Sequence, residues 1–259
     1  MRRHSFILSL LLLCGSIRIL ASLACLLAIL IVAAGYSVAS PHISASSASP
    51  QAIVIGFVGG FVRHDDARHQ EVQLAERLRS TYNDTVAVTI FENRHKREAH
   101  RAISRLLDTN RDGFLSAEEK RNARIILFGH SWGASAAVAL ARDLQRESIP
   151  VLLTVQVDSI AKIGQNDAMI PANVARAINF YQAHGIFRGR AKITAVDPSR
   201  TQLLGDVRME YRKEPVQCRH YPWYDRLLFK DHTKIECDAR VWSQVEALIR
   251  AELAAEDLQ

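Results

Sequence analysis

The chain has 259 residues, with 33 lysines and arginines against 27 aspartates and glutamates, for a formal net charge of +6. Hydrophobic residues at 48% and charged residues at 23% exclude a disordered or collagen-like chain and a polytopic membrane protein, and four cysteines are too few for a disulfide scaffold. A basic balance points to nucleic acid only where it is concentrated on a folded face.

Here the charge is concentrated elsewhere. Residues 1–51 hold no acidic residue, and Arg2, Arg3 and Arg18 are their only full charges, which leaves 30 basic against 27 acidic residues in the remainder. Half of the basic excess is therefore a topology signal, and no nucleic-acid partner is expected. Residues 19–38 form an uncharged apolar run, long enough to cross a hydrocarbon core of ~30 Å as a helix. Arginines on its N-terminal side predict that the N-terminus stays inside and the following domain lies outside. Residues 1–38 are expected to act as a membrane anchor, with a cleaved signal as the rival because Ser37, Val38 and Ala39 supply small residues for a cut. The domain would be extracytoplasmic in either case, membrane-anchored or secreted. Residues 39–51, rich in Ser, Ala and Pro, read as a tether, and residues 52–259 as the folded domain.

Within the domain, apolar runs at 52–56, 86–91, 124–128, 151–157 and 192–196 read as strands, most of them continuous rather than alternating, as a parallel sheet buried on both faces requires. Between them lie helical patterns: Ala99, Ala102, Ile103, Leu106 and Leu107; Ala137, Leu140, Ala141 and Leu144; Val174, Ala177, Ile178 and Tyr181, with Gly185 as a cap; and, after Asp238, Val241, Trp242, Val245, Leu248 and Ile249. The expected fold class is α/β, a mostly parallel central sheet flanked by helices. His64, Asp65, Asp66 and His69, after the first strand, read as a polar loop and helix start rather than a metal cluster.

Two motifs carry chemistry. Residues 108–119 match the EF-hand calcium loop: Asp108, Asn110 and Asp112 offer side-chain oxygens, Gly113 the bend, Phe114 its carbonyl, and Glu119 a closing carboxylate. A structural Ca2+ is expected there, the alternative being a turn closed by a Ser116–Glu119 capping box. Gly129-His130-Ser131-Trp132-Gly133 follows the strand at 124–128 and precedes a helix. That is the context in which G-x-S-x-G sets a serine on a sharp strand-to-helix turn, its glycines letting strand and helix approach.

With this turn and the following strand ending Val157-Asp158-Ser159, the chain resembles the α/β-hydrolase superfamily, in its thioesterase and lipase branches. The resemblance implies a Ser-acid-His triad, an acyl-enzyme intermediate, a small-molecule or acyl ester substrate and no organic cofactor. It makes Ser131 the nucleophile. Asp158 is the favoured acid, with Asp167 and Asp197 as alternatives. His232, in a loop ahead of the last helix, is the favoured base, with His220 next and His184 at a helix end. It also places backbone oxyanion donors at Gly60 or Phe61 and at Trp132. Trp132, Phe57, Phe61, Tyr221, Trp223 and Tyr224 are candidate acyl-pocket residues. Cys218 and Cys237 bracket the His232 region, 19 residues apart, and could pair in an oxidising compartment. A function of another class also fits the motifs: a catalytically silent calcium-binding interaction module on the same scaffold.

Overall fold

The computed structural model describes residues 50–212 and 216–255; the expected anchor and all but the end of the tether lie outside them. Six strands form one parallel sheet: β1 (Ala52–Val58), β2 (Val86–Glu92), β3 (Ile125–His130), β4 (Val151–Val157), β6 (Val174–Gln182) and β8 (Gln202–Met209), in the order β2-β1-β3-β4-β6-β8. A second, two-residue pairing joins β5 (Met169–Ile170) to β7 (Thr194–Ala195).

Helices cover both faces, which is why the central strands are buried on both sides and mostly apolar. On one face α1 (Gln70–Tyr82) brings Leu74, Ala75 and Leu78, and α7 (Ala239–Ala254) brings Val241, Trp242, Val245 and Ile249, against Val54, Ile126 and Val155. On the other, α2 (Lys96–Leu107) supplies Ala99, Ile103 and Leu107, and α4 (Trp132–Arg146) supplies Ala137, Leu140, Ala141 and Leu144, against Ile55, Leu127 and Ile125. Each fully buried Val, Leu or Ile among them contributes ~1.5–3 kcal/mol over its exposed state, and each alanine less. The chain runs outward from β1 to β2 and then passes back over β1 to reach β3. The strand order therefore reverses between β1 and β3, and a crevice opens beyond their C-terminal ends, where parallel sheets place ligands.

Three sequence expectations are corrected. Residues 174–181 are not a helix but the inner strand β6, paired with β4 and β8. A short apolar run fits a helical stripe and a doubly buried strand equally well, and Val, Ile, Phe and Tyr favour the strand. Residues 192–196 contribute only Thr194–Ala195, outside the main sheet, whose last strand is the unanticipated β8. That edge strand is largely exposed and interrupted by Gly205, Asp206 and Arg208, so it carries no apolar run. His232 lies not in a loop but on α6 (Lys230–Cys237), preceded by α5 (Trp223–Leu228). Among the described residues, no helix is long and apolar enough to cross a membrane.

Candidate active site

β3 ends at His130, α4 begins at Trp132, and Ser131 between them has φ 56° and ψ −125°. For a non-glycine residue that is a strained conformation. It is held by packing on both sides. A Cβ on Gly129 would stand 2.6 Å from the Gly133 carbonyl carbon, and one on Gly133 would press on the Phe57 carbonyl and stand 2.8 Å from the Val58 oxygen. Strand β1 thus runs against the first turn of α4, and the Ser131 amide donates to the Val157 carbonyl at 2.9 Å.

The serine is the first member of a hydrogen-bonded series. Ser131 Oγ lies 2.9 Å from His232 Nε2, and His232 Nδ1 lies 2.6 Å from Asp158 Oδ2. A carboxylate only accepts, so Nδ1 carries the proton and Nε2 is left to accept from the serine hydroxyl. Asp158, at the end of β4, is fully buried (0% exposed). Its Oδ1 accepts from the Gln182 amide (3.2 Å) and the Gly189 amide (2.9 Å), and its Oδ2 from Gln182 Nε2 (2.9 Å). A Cβ on Gly189 would collide with Asp158 itself, 2.5 Å from its Cα.

The alternative residues are engaged elsewhere. Asp167 is buried, accepting from Ser159 Oγ at 2.6 Å and from Arg190 Nη2 at 2.6 Å. Asp197 is half-buried and closes a turn on Ser199. His184 bonds Glu210, following a strand and not a helix as expected, and His220 is exposed.

Above the serine, the chain leaves β1 through Gly59 and Gly60. A Cβ on Gly59 would lie 3.1 Å from Ser131 Cβ, and Gly60 has φ 42°. Asn93 Nδ2 donates to the carbonyls of Val58 (3.2 Å) and Gly60 (2.6 Å). Fixing the Gly60 carbonyl on Asn93 turns the trans N–H of Phe61 away from Asn93. The Trp132 amide, first in α4, has no intrahelical acceptor. The Phe61 ring, 84% exposed, meets the Trp132 ring edge-on at 5.6 Å, and Lys162 Nζ, which bonds Asn93 Oδ1, lies 5.3 Å from the Trp132 centroid. Phe57 and Tyr221, by contrast, belong to the core, whereas Trp223 and Tyr224 are exposed on α5.

A second polar group lies beneath the turn. His130 is buried with its ring 4.5 Å from that of His232, and burial pushes its pKa down to about 4. His69 bonds Glu236; burial opposes its charge, but that bond and the carboxylate's field prevail and raise it to about 9. Burial and then the Glu236 charge push Glu71 up to about 8. His69, Glu71 and Glu236 each bring one ligand-type atom within 4.8 Å of the others, a grouping able to hold a metal ion. His69 stands at the helix start that the sequence suggests, as the N-cap of α1, and what the sequence does not show is its partner Glu236, 167 residues away.

The 108–119 segment forms its capping box. Ser116 Oγ accepts from the Glu119 amide at 3.2 Å, and Glu119 Oε2 accepts from the Ser116 amide at 2.9 Å, ahead of the short helix α3 (Ala117–Arg121). Asp108 accepts from the amides of Asp112 (3.1 Å) and Gly113 (3.0 Å), and Asp112 from that of Phe114 (2.8 Å). The oxygens of the motif are thus held by the loop's own donors. Cys218 and Cys237 are joined in a disulfide, with Cα atoms 5.8 Å apart.

Asn93, Gln182, Gly189, Glu71 and Glu236 were not anticipated as site residues. None sits in a motif; each acts through a partner distant in sequence.

No family model and no curated protein matches the chain. Among solved structures it is similar to RedJ, the thioesterase of the prodiginine biosynthetic pathway in Streptomyces coelicolor (14% identity, 73% of this chain and 92% of that one, TM-score 0.35). A second structure of RedJ, with a PEG molecule in its active site, gives 13% identity over 72% of this chain and 90% of that one, with TM-score 0.37. An acetylxylan esterase is similar at 11% identity over 80% of this chain and 100% of that one, with TM-score 0.40.

Proposed function

We propose that this protein is a serine hydrolase of the α/β-hydrolase kind, cleaving an ester or thioester through an acyl-enzyme intermediate. The observation that carries the reading is the unbroken series Ser131 Oγ, His232, Asp158 at the crevice where the strand order reverses. In this scheme Nε2 of His232 takes the hydroxyl proton as Oγ attacks the acyl carbon, and the carbonyl π pair moves onto oxygen. The amides of Trp132 and of Gly60 or Phe61 donate to that oxyanion. Collapse expels the alkoxide or thiolate, which receives the proton from Nε2. Water, deprotonated by the same nitrogen, then releases the acid and restores Ser131. Asp158 stays ionised throughout, orients the ring, and stabilises its cationic form.

Exposed Phe61, Ile163 and Phe187 lie on the glycine loop, next to Lys162, and between the two segments that anchor Asp158. The exposed Phe61 ring against Trp132, beside the nucleophile, favours an apolar acyl chain over a polar one. A fluorophosphonate probe is expected to label the wild type and not Ser131→Ala, with ester hydrolysis lost in parallel. Labelling that survives in Ser131→Ala would refute the assignment, and an unlabelled, inactive wild type would favour the silent-module reading.

We also infer that Asp108, Asn110, Asp112, the Phe114 carbonyl and Glu119 hold a structural Ca2+. Supporting this, Gly113 takes φ 84° and the loop's Asp and Asn oxygens are turned inward by its own amides. The Asp108 and Asp112 oxygens each accept one bond and keep a lone pair, whereas each Glu119 oxygen accepts two, from Thr109 and Ser116, and would have to give one up to the ion. The ion would stiffen the link between α2 and β3 and take no part in the chemistry. The domain is proposed to work outside the cytoplasm, tethered by residues 1–38 or secreted, a placement that a disulfide at Cys218–Cys237 favours.

A further inference from the structure

The proposed hydrolysis makes no use of the polar group beneath the turn, and that group is unusual. Four side chains from three separate segments meet there, all buried: His69 and Glu71 at the start of α1, His130 at the end of β3, and Glu236 in the last turn of α6. Glu71 is 0% exposed, and no side chain donates a hydrogen bond to either of its carboxylate oxygens, whose only donors are the backbone amides of Glu71 and Gly59. Buried polar groups are nearly always paired, and buried carboxylates bind a cation or a proton. Glu71 faces into the grouping in which it, His69 and Glu236 bring ligand atoms within 4.8 Å of one another. His130 Nδ1 stands at a fourth corner, 3.5 Å from Glu236 Oε2 and 4.0 Å from Glu71 Oε1.

We propose that His69, Glu71, His130 and Glu236 form a binding site for one zinc ion. Zinc bonds of ~2.0–2.1 Å set tetrahedral ligand atoms ~3.3 Å apart, so the wider separations, none above 4.8 Å, would close by up to about 1.5 Å, and the directly bonded His69 and Glu236 atoms would move apart. Two imidazoles and two carboxylates are a zinc donor set; calcium asks for six or more oxygens, and no thiolate is needed. Two carboxylates balance the ion's charge, so the buried site is neutral when filled. Metal ligands bind deprotonated, so uptake displaces the proton shared by His69 Nδ1 and Glu236 Oε1 together with any proton on the Glu71 carboxyl, and releases them to solvent. Asp66 Oδ2, bonded to Arg68 Nη2, lies 3.8 Å from His69 Nε2 and places a negative charge behind that ring without a hydrogen bond to it.

Four protein ligands close the coordination shell, which makes the ion a structural brace and not a reagent. What it braces is specific. His130 adjoins Ser131, and Glu236 lies one helical turn after His232, so one ion would clamp the segments that carry the nucleophile and the base.

The test uses the full chain, stripped with a chelator and desalted, then given Zn2+. Retained zinc is measured by elemental analysis, folding by circular dichroism, and thermal stability by melting; no activity is required, so the outcome is independent of the hydrolase reading. Wild type is expected to keep one zinc per chain and to melt several degrees higher with it. In Glu71→Gln and, separately, His69→Asn, zinc affinity should drop ~10–100-fold or more and the melting shift should vanish. Should one of these fail to fold, the other decides. Asp108→Asn/Asp112→Asn, outside the site, should retain zinc as wild type does. Absence of stoichiometric zinc in wild type, undiminished zinc in the folded Glu71 or His69 variant, or loss of zinc in the loop variant overturns the proposal.

Discussion

Gln182 offers the sharpest test of how the proposed acid is held. Its backbone amide and side-chain amide bond the two oxygens of Asp158, and its side chain also donates to Phe187 O at 2.7 Å while accepting from the His184 amide at 2.8 Å. Gln182→Met keeps length and removes every side-chain bond. Loss of one hydrogen bond to a buried charge costs ~1.5–3 kcal/mol, and 1.36 kcal/mol is tenfold in rate, so the ceiling is about 100-fold. The Gln182 and Gly189 amides and His232 remain on the carboxylate, so the carboxylate does not leave its place. The expected loss in kcat is therefore nearer tenfold, well short of the ~10⁴-fold expected for Asp158→Asn, where the wrong tautomer is stabilised. KM should hardly move, because Gln182 lies behind the acid and touches no substrate. Gln182→Glu supplies a pH signature. A carboxyl beside a buried carboxylate has its pKa raised; protonated, it can still donate to Asp158, so activity relative to wild type at the same pH should be highest at the acid end of the profile and fall as that proton is lost. Steady-state kinetics on a nitrophenyl ester, with pH profiles, measure both. A Gln182→Met enzyme with kcat within about threefold of wild type, less than ~0.7 kcal/mol, would refute the view that this side chain positions the acid.

Calcium added to the chelator-treated protein should give a calorimetric binding signal that Asp108→Asn/Asp112→Asn abolishes; no heat in the wild type would leave the segment a capped turn. Replacing Cys218 and Cys237 together by serine opens a 19-residue loop and should cost about 3 kcal/mol by the chain-entropy relation, read as a lower denaturation midpoint; an unchanged midpoint would show that the bridge adds nothing to stability. Fractionation of cells expressing the full chain should find it in the membrane with the domain open to external protease, or exported and shortened at its N-terminus. A cytosolic, full-length product would sink the anchor and the signal alike.

Legibility followed the range of the interactions. The nucleophile turn is local: Gly129 and Gly133 are required by atoms within a few residues or in the adjacent strand, so five letters announce it. Strands β1 to β4, each a Val- and Ile-rich run, were readable for the same reason. The preference for Asp158 over Asp167 and Asp197 rests on the resemblance alone, because Asp158 and Asp197 each end an apolar run and Asp167 sits in a polar loop. What separates them is position across the sheet. The structure sets Asp158 beside His232, while Asp167 is claimed by Ser159 and Arg190. β6 was misread because Val174, Ala177, Ile178 and Tyr181 satisfy a helical stripe by accident, a strand buried on both faces having no period to betray it.

Helix α6 shows where sequence reading runs out and why. Of its eight residues, Asp231, His232, Thr233, Ile235, Glu236 and Cys237 are buried, yet only Ile235 and Cys237 are apolar. Such a segment has no hydrophobic face to announce, and it reads as a loop. It is held by individual bonds instead. Thr233 Oγ1 donates to Asp225 O (3.0 Å), Trp242 Nε1 to Glu236 O (2.6 Å), His232 Nδ1 to Asp158, and the disulfide ties its end to Cys218. Apolar burial tolerates small shifts, whereas each of these contacts weakens steeply with distance and angle. A general base must stay within hydrogen-bond reach of its serine, so the segment that carries His232 is fixed by directional contacts rather than by packing. The same economy makes its partners hard to find from sequence, since Asp158, Cys218 and Asp225 meet the helix only once the chain has folded.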